Sequence, residues 1–468
     1  MSAPSTSAVV LGGGLTAMVA AAVLAQHVDA VTVIERDRLP DTPQQRPGVP
    51  QARHTHTLMD GGARALDSLL PGFLDRLMAA GAHRNNLPGN VVMLSAQGWM
   101  ERFTSHRNSY TCSRNLLDFV VRDLALSNER ITVIDHHQAD DLIGDSHAVT
   151  GVRIRSRETK ETRELGADLV IDATGRGSRI DHWLRALGLP EIQESTIDCG
   201  EAYASRVYRA PQGAEKGFPM INILADPGSG RPGRGVALLP IEDGCWMVTL
   251  GGTRGGEPPT DEEGFQHYVR HEVRHPLVAD LIAGAQPVGP IHGNRSSRNR
   301  RRHFERLPAW PSGLIVLGDA VTTFNPVYGH GMSVSARGGL ALRAGLQRHG
   351  PDPTAAFSIQ QAVAKAAEDA WTIATTQDMR YPDVIGPRPT ALEKLQRRLV
   401  DRMLLTATRQ PAVAKALVGS FSLATSFTEL ARPGIALRTL RGPGRPPLTG
   451  PPLLPWERSY LPGERTRR

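Results

Sequence analysis

The apolar positions of this chain change period in a fixed order. Residues 8–11 (AVVL) form a short apolar run, residues 15–26 (LTAMVAAAVLAQ) a helical stretch, and residues 30–34 (AVTVI) a second β-type run. The pattern predicts strand, turn, helix and strand, with an acid, Glu35, closing the second strand. Apolar strands recur at residues 167–172 and 314–317, and helices are predicted at 115–126 and, in small residues, at 332–346. Between those later strands the period shortens. Residues 200–209, 219–225 and 235–252 carry β-type runs, and Asp243-Gly244 between VALLP and CWMVTL marks a hairpin, because both residues accept the positive φ of a tight turn. A helix at 261–272 is expected outside that sheet. An Ala-rich helix at 355–378, a proline-rich break at 381–389 and a helix at 391–403 follow, and no internal repeat is visible. The expected class is α/β. A Rossmann-like unit, residues 1–195 and 309–350, holds an inserted antiparallel-sheet domain, 196–308, and precedes a C-terminal helical region, 351–468.

The turn after the first strand carries the chemistry. Gly12 permits a tight turn, Gly14 lets the backbone approach a pyrophosphate, and Ala17 lets the helix lie close to the sheet. Free N–H groups at the helix start face the phosphates, and Glu35, with Arg36 beside it, is placed to accept ribose hydroxyls. An acid there disfavours a 2′-phosphate, so the nucleotide is FAD or NAD rather than NADP. Two segments decide for FAD. The strand at 167–172 runs into Ala173-Thr174-Gly175, a return of the chain to the nucleotide sheet. The strand at 314–317 runs into Gly318-Asp319, then a loop with Pro326, Gly329 and Gly331 and a helix beginning at Met332. An acid at the strand end holds a ribityl hydroxyl, and the helix start stabilises negative charge on a reduced flavin.

With those segments the chain resembles the FAD-dependent monooxygenases of the para-hydroxybenzoate hydroxylase fold, whose nucleotide unit is a GR2-type βαβ. A closer likeness is to bacterial flavin epoxidases of polyether antibiotic pathways, such as those for monensin and lasalocid. It rests on His27-Val-Asp-Ala-Val-Thr-Val33, Gly48-Val-Pro-Gln-Ala-Arg-His-Thr-His56, Val170-Ile-Asp-Ala-Thr-Gly-Arg-Gly-Ser-Arg179, Asn325-Pro-Val-Tyr-Gly-His-Gly-Met-Ser333, and Trp371 with Asp378 and Tyr381. The resemblance implies that a flavin C4a-hydroperoxide transfers one oxygen of O₂ to an alkene of a hydrophobic, polyketide-like substrate. It also implies that the antiparallel sheet roofs the flavin. Thr174-Gly175 stands where many aromatic hydroxylases have Asp-Gly, and no second glycine-rich βαβ unit appears, since Gly251–Gly256 opens no helical pattern. A separate flavin reductase is therefore the expected electron source. Two other activities fit the resemblance: hydroxylation of an aromatic ring, and a non-redox [4+2] cyclisation with FAD as a structural element.

Composition changes the picture little. Cys112, Cys199 and Cys245 lack CxxC spacing, which suits a reducing cytoplasm and gives no zinc site. No basic leader and no bilayer-length apolar run is present, so a cytoplasmic protein without membrane insertion is expected. The net charge of +7 invites a nucleic-acid reading through the run at 295–306, RSSRNRRRHFER, yet that run has no interleaved aromatic platform. An acidic docking partner or a solvated connector fits it better. The Arg/Pro-rich stretch 432–468 is expected to be an irregular wrapping tail anchored by Leu453, Leu454 and Trp456.

The resemblance places Arg46, Gln51, Arg53, His54 and His56 in a loop near the flavin ring, and oxygen-transfer roles are expected for Arg53, His54 and His330. The histidines at 54 and 56 also suit structural hydrogen bonding; an i, i+2 pair without a third ligand is a weak sign of a metal, and none is expected. Arg114 suits an FAD phosphate or ribityl oxygen, or a salt bridge. His330 suits the flavin's polar edge or a helix cap. Trp371 and Phe324 suit the core or the substrate. Ser178 sits in no G-x-S-x-G elbow, which excludes that hydrolase arrangement.

Overall fold

The computed structural model of the chain describes residues 5–295 and 298–463. A five-stranded parallel sheet forms its first layer, in the order Leu314–Val316, Leu169–Asp172, Ser7–Leu11, Ala30–Ile34, Ile131–Ile134. Each strand is short and apolar because both faces are covered. The helix Leu15–Leu24 is apolar on every side and almost wholly buried, since it lies between the sheet and the long helix Gly331–His349. Antiparallel strands His137–Gly144, Val149–Ser156 and Thr162–Gly166 form a three-stranded flap before the chain returns to the sheet.

The second layer is a seven-stranded sheet that carries its own core, headed by Trp246, Tyr208, Phe218 and Phe265. Its hairpin joins Arg234–Ile241 to Cys245–Gly252 through Asp243 (φ 60°) and Gly244 (φ 63°), the doubly positive turn that the sequence predicts. This sheet is not confined to residues 196–308. Val91–Ser95 pairs in parallel with Met220–Ile223, and Gly98–Trp99 extends the edge.

The helical pattern at 355–378 is two helices, Ala356–Ala366 and Glu368–Asp378, broken at Ala367. The Arg301 guanidinium donates to the Ala364 carbonyl at 3.3 Å and so takes one of the acceptors that end a helix. Arg301 belongs to the basic run at 295–306, of which Ser296 and Ser297 lie outside the described residues. The strand Asn299–Arg302 pairs with Glu194–Ile197. Arg302 is buried between Asp181 (2.5 Å) and Glu194 (3.0 Å). Arg301 and Arg302 of the run are thus buried and paired internally, while Arg295, Arg298 and Arg306 stay exposed.

The C-terminal region holds the helices Ala391–Ala407, Pro411–Phe421 and Pro433–Arg441. The third falls inside the stretch read as irregular, with Pro433 at its first turn, where a missing N–H costs nothing. Beyond it the chain runs along the seven-stranded sheet, irregular but for the short helix Pro455–Arg458. Leu453 is buried there, Trp456 meets Phe218 edge-on at 5.9 Å, and Arg102 pairs with the buried Glu457 at 2.6 Å. Leu454 is exposed, so two of the three expected anchors hold the tail. Residues 464–468 of that stretch lie outside the described residues. Among the described residues no helix is long and apolar enough to cross a membrane.

Candidate functional site

A cavity of about 1,420 Å³ runs from the glycine turn after Ser7–Leu11, under the seven-stranded sheet, to the C-terminal helices. Gly12 has φ +101° and its N–H bonds the Ile34 carbonyl, which locks the turn onto both strands. Gly14 stands at the helix start with no side chain capping it, and a Cβ there would meet no protein atom within 4 Å. Open space at uncapped N–H groups is what a dinucleotide's pyrophosphate requires. Gly13, which the three-position reading passes over, is also required: a Cβ would lie 2.7 Å from Glu35 Oε2.

Glu35 is engaged internally as well as facing the cavity. Its Oε2 accepts from the Gly13 N–H and pairs with Arg46 at 3.4 Å, and its Oε1 accepts from the Asp37 N–H at 2.9 Å. Arg46, almost wholly buried, also donates to the Gly13 carbonyl at 3.1 Å, so acid and arginine brace the glycine turn from one side. Arg36 and Gln51 line the same end, and Ala17 is buried against the sheet, as a close-packed helix needs.

Across the cavity, Thr174 donates its hydroxyl to Asp172 at 2.6 Å, and Gly175 turns with φ +78° beside Asp319. Burial raises the Asp319 carboxyl above its ordinary range, while Arg176, Arg114 and Arg300 oppose that shift. Arg114 does both things open to it. It lines the cavity and pairs with Asp118 at 2.7 Å. Pro326, Gly329 (φ +66°), Gly331 and Met332 form the loop and helix start facing it.

The structure brings His54 and His330 to the cavity and leaves Arg53 out. The turn Pro50–Arg53 points Gln51 inward and Arg53 to solvent, where it donates to Gln45 at 3.1 Å. Arg53, expected there from sequence, thus does not line the cavity. His54 Nδ1 meets Ser205 Oγ at 2.7 Å, and Ser205 meets Thr249 at 2.6 Å. Burial, with His292 and Arg53 nearby, lowers His54 to about 4. His56 bonds the His54 carbonyl at 2.9 Å and is lowered by burial to about 3. His330 does not cap the helix it precedes. Its Nε2–H donates to the Phe421 carbonyl at 2.9 Å, leaving Nδ1 as a buried acceptor without a partner among the described residues. Burial lowers it to about 4, so both His54 and His330 are neutral at physiological pH.

A buried polar group that the sequence reading singled out in a motif, without a site role, joins the walls. Asp378 accepts from Asn299 Nδ2 (2.6 Å), Asn325 Nδ2 (3.2 Å) and Tyr328 OH (2.5 Å). Burial raises its carboxyl, and those bonds oppose the shift. Glu201, also buried and lining the cavity, is pushed up to about 8 by burial and then by Asp378, with a hydrogen bond from Asn325 opposing. Strand alternation from Tyr203 and Ser205 was the signal that could have found it, since residue 201 shares their face. Phe324 lines the cavity, while Trp371 packs with Phe324 and Val334 and does not reach it.

The FAD binding domain family matches residues 5–350. The chain belongs to this family, and FAD is its cofactor. A curated relative, Protein Rv3254 of Mycobacterium tuberculosis, is 30% identical over 437 residues, 91% of each chain. Among solved structures, p-nitrophenol 4-monooxygenase PnpA from Pseudomonas putida is similar with TM-score 0.57 and 16% identity, covering 89% of this chain and 98% of that one. CmlS, a flavin-dependent halogenase, is similar with TM-score 0.62 and 18% identity, covering 87% and 73%. At these identities the likeness is one of fold: an α/β FAD-binding unit, a large sheet and a helical C-terminal region.

The open space at Gly14 yields a direct test. Gly14→Val leaves the extended backbone there unstrained and puts two methyl groups into the open space that a pyrophosphate would occupy. Retained FAD, read from flavin absorbance after desalting, should fall about tenfold or more at unchanged far-ultraviolet dichroism. Unchanged FAD content would contradict the placement.

Proposed function

We propose that this flavoprotein is an FAD-dependent monooxygenase that places one oxygen atom of O₂ on an alkene of a hydrophobic, polyketide-like substrate as an epoxide. The observation that carries the reading is the continuity of the cavity. It leads from the nucleotide cradle to a chamber walled by Met220, Leu239, Ile373, Met403, Leu417 and Phe427, far more apolar than a dinucleotide needs. Bound FAD supplies the two-electron redox chemistry that activates O₂.

The chain's own residues position and shield. Gly12, Gly14, Glu35, Arg36, Arg46 and Gln51 hold the nucleotide end, and Arg114, Thr174, Gly175 and Asp319 lie along its middle. The helix Gly331–His349 begins directly after the turn Pro326–Tyr328 and Gly329, and its free N-terminal N–H groups would stabilise negative charge on a reduced flavin ring. His54 and His330, both neutral, add hydrogen-bonding groups without adding charge, which suits transfer of an electrophilic oxygen to a π-bond. The apolar chamber excludes water from the reacting centre. No glycine-rich βαβ unit beyond Gly12–Ala17 is visible in the sequence, which supports a separate flavin reductase as electron source.

Glu201 favours one second reading. Its carboxyl is poised near neutrality and borders the chamber, so it can take the proton of a phenol during aromatic hydroxylation. In the epoxidation reading the same group stays protonated and donates to an oxygen function of the substrate.

Holoprotein supplied with reduced flavin, ¹⁸O₂ and candidate polyenes should give an epoxide carrying one labelled oxygen. A cyclised product of unchanged mass, formed equally well without reductant, would contradict the monooxygenase reading. The pH profile separates the two oxygenations. With Glu201 as a donor, turnover is flat in mildly acidic solution and falls as pH rises through about 8. Glu201→Gln keeps a donor and loses that limb. Turnover that instead rises toward about 8 and is abolished in Glu201→Gln would identify Glu201 as a base and favour hydroxylation.

A further inference from the structure

The helices beyond residue 390 do more than close the cavity. Residues 391–450 carry ten Lys and Arg against three Asp and Glu, an excess as large as the whole chain's net charge of +7. The same helices expose large apolar side chains. Leu395 and Leu399 on Ala391–Ala407 are 61% and 52% exposed, and Leu437 and Leu440 on Pro433–Arg441 are 49% and 68% exposed. The two helices are tied together from the side of the first that carries Leu395 and Leu399. Leu395, Leu399 and Arg402 lie along one side of the first helix, and Arg402 donates to the Thr439 (3.2 Å) and Leu440 (2.9 Å) carbonyls of the other. Lys394, Arg398, Arg438 and Arg441 border the leucines, all exposed, and no carboxylate among the described residues pairs with them.

This face adjoins the mouth of the cavity. Leu399 is half exposed and also lines the cavity, as do the exposed Phe421 and the exposed Ala431 just before the second helix. An apolar path therefore runs from the leucine face into the chamber. Bulky apolar side chains ringed by arginines suit an anionic lipid surface, where the leucines enter the headgroup–acyl boundary and the arginines meet phosphates. A second copy would bring two excesses of like charge together. A folded acidic protein would meet the arginines but would stopper the mouth that Leu399 borders, whereas a bilayer leaves it opening onto acyl chains.

We propose that the leucine and arginine face formed by Ala391–Ala407 and Pro433–Arg441 docks this protein on anionic membrane surfaces, with the mouth of its cavity turned toward the lipid. Docking of this kind is peripheral and needs no spanning helix. It stands whether the chamber performs epoxidation, hydroxylation or neither, because the test reads binding alone.

The test is co-sedimentation of FAD-loaded full-length protein with vesicles of phosphatidylglycerol and phosphatidylcholine in equal parts, and with vesicles of phosphatidylcholine alone. Binding is expected to the mixed vesicles, at least about tenfold stronger than to the neutral ones, and to weaken as salt screens the arginines. The double variant Leu437→Asp/Leu440→Asp should lose about tenfold or more, with FAD content and melting temperature unchanged. Arg438→Gln/Arg441→Gln should weaken the salt-sensitive part of the binding. Absence of sedimentation, equal binding to both compositions, or binding indifferent to both double variants would overturn the proposal. Leucine-dependent self-association in analytical ultracentrifugation, without vesicle binding, would assign the face to a second copy and overturn it as well.

Discussion

One buried carboxylate holds the walls of the cavity together. Asp378 ends the helix Glu368–Asp378, yet its oxygens are bonded by Asn299 from the basic strand and by Asn325 and Tyr328 from the loop before the long helix. A buried charge is tolerated only when its lone pairs are met, and a hydrogen bond to a charged group contributes about 1.5–3 kcal/mol. Asp378 therefore fixes three segments at once, because releasing any of them leaves a carboxylate short of a donor. Tyr203 extends the joint to the seven-stranded sheet through its contacts with Asn325 and with the Val327 N–H at 3.0 Å. Glu201 owes its raised proton affinity first to burial and then to the charge of Asp378, with the Asn325 hydrogen bond opposing.

The nucleotide end follows a parallel logic with the charge balanced locally. Glu35 and Arg46 neutralise each other against the backbone of Gly13, so the cradle keeps its shape before any ligand arrives. The two ends differ in what they leave open. The cradle presents backbone N–H groups to an anion, while the far chamber presents apolar side chains and a protonated acid. That asymmetry fits a bound flavin nucleotide at one end and a hydrophobic substrate at the other.

Local signals were the legible ones. The strand–glycine–helix–strand order, the Asp243-Gly244 hairpin and the loop from Pro326 to Gly331 are read from neighbouring residues, and the elements fall where the pattern puts them. Features set by distant partners were not legible. Nothing near Ala367 announces a break, and the group that bonds the Ala364 carbonyl there is the sequence-distant Arg301 guanidinium, |i−j| = 63. Val91–Ser95 looks like part of the nucleotide unit until it pairs with Met220–Ile223. The same limit governs the site. Arg53 shares a motif with His54, but at the end of a single turn of 3₁₀ helix Arg53 is exposed while His54 is buried. Asp378 and Glu201 lie far apart in sequence, and only folding lets the charge of Asp378 add to the effect of burial on Glu201.

The joint at Asp378 is tested most directly by amide hydrogen exchange in Asp378→Asn, which keeps the shape and removes the charge. If the carboxylate holds the walls, exchange of the amides in residues 325–331 should accelerate about tenfold or more. The amides of the parallel sheet, remote from the joint, should keep their protection. Unchanged protection of the loop in Asp378→Asn would contradict the account, because the loop would then be held by something other than this carboxylate.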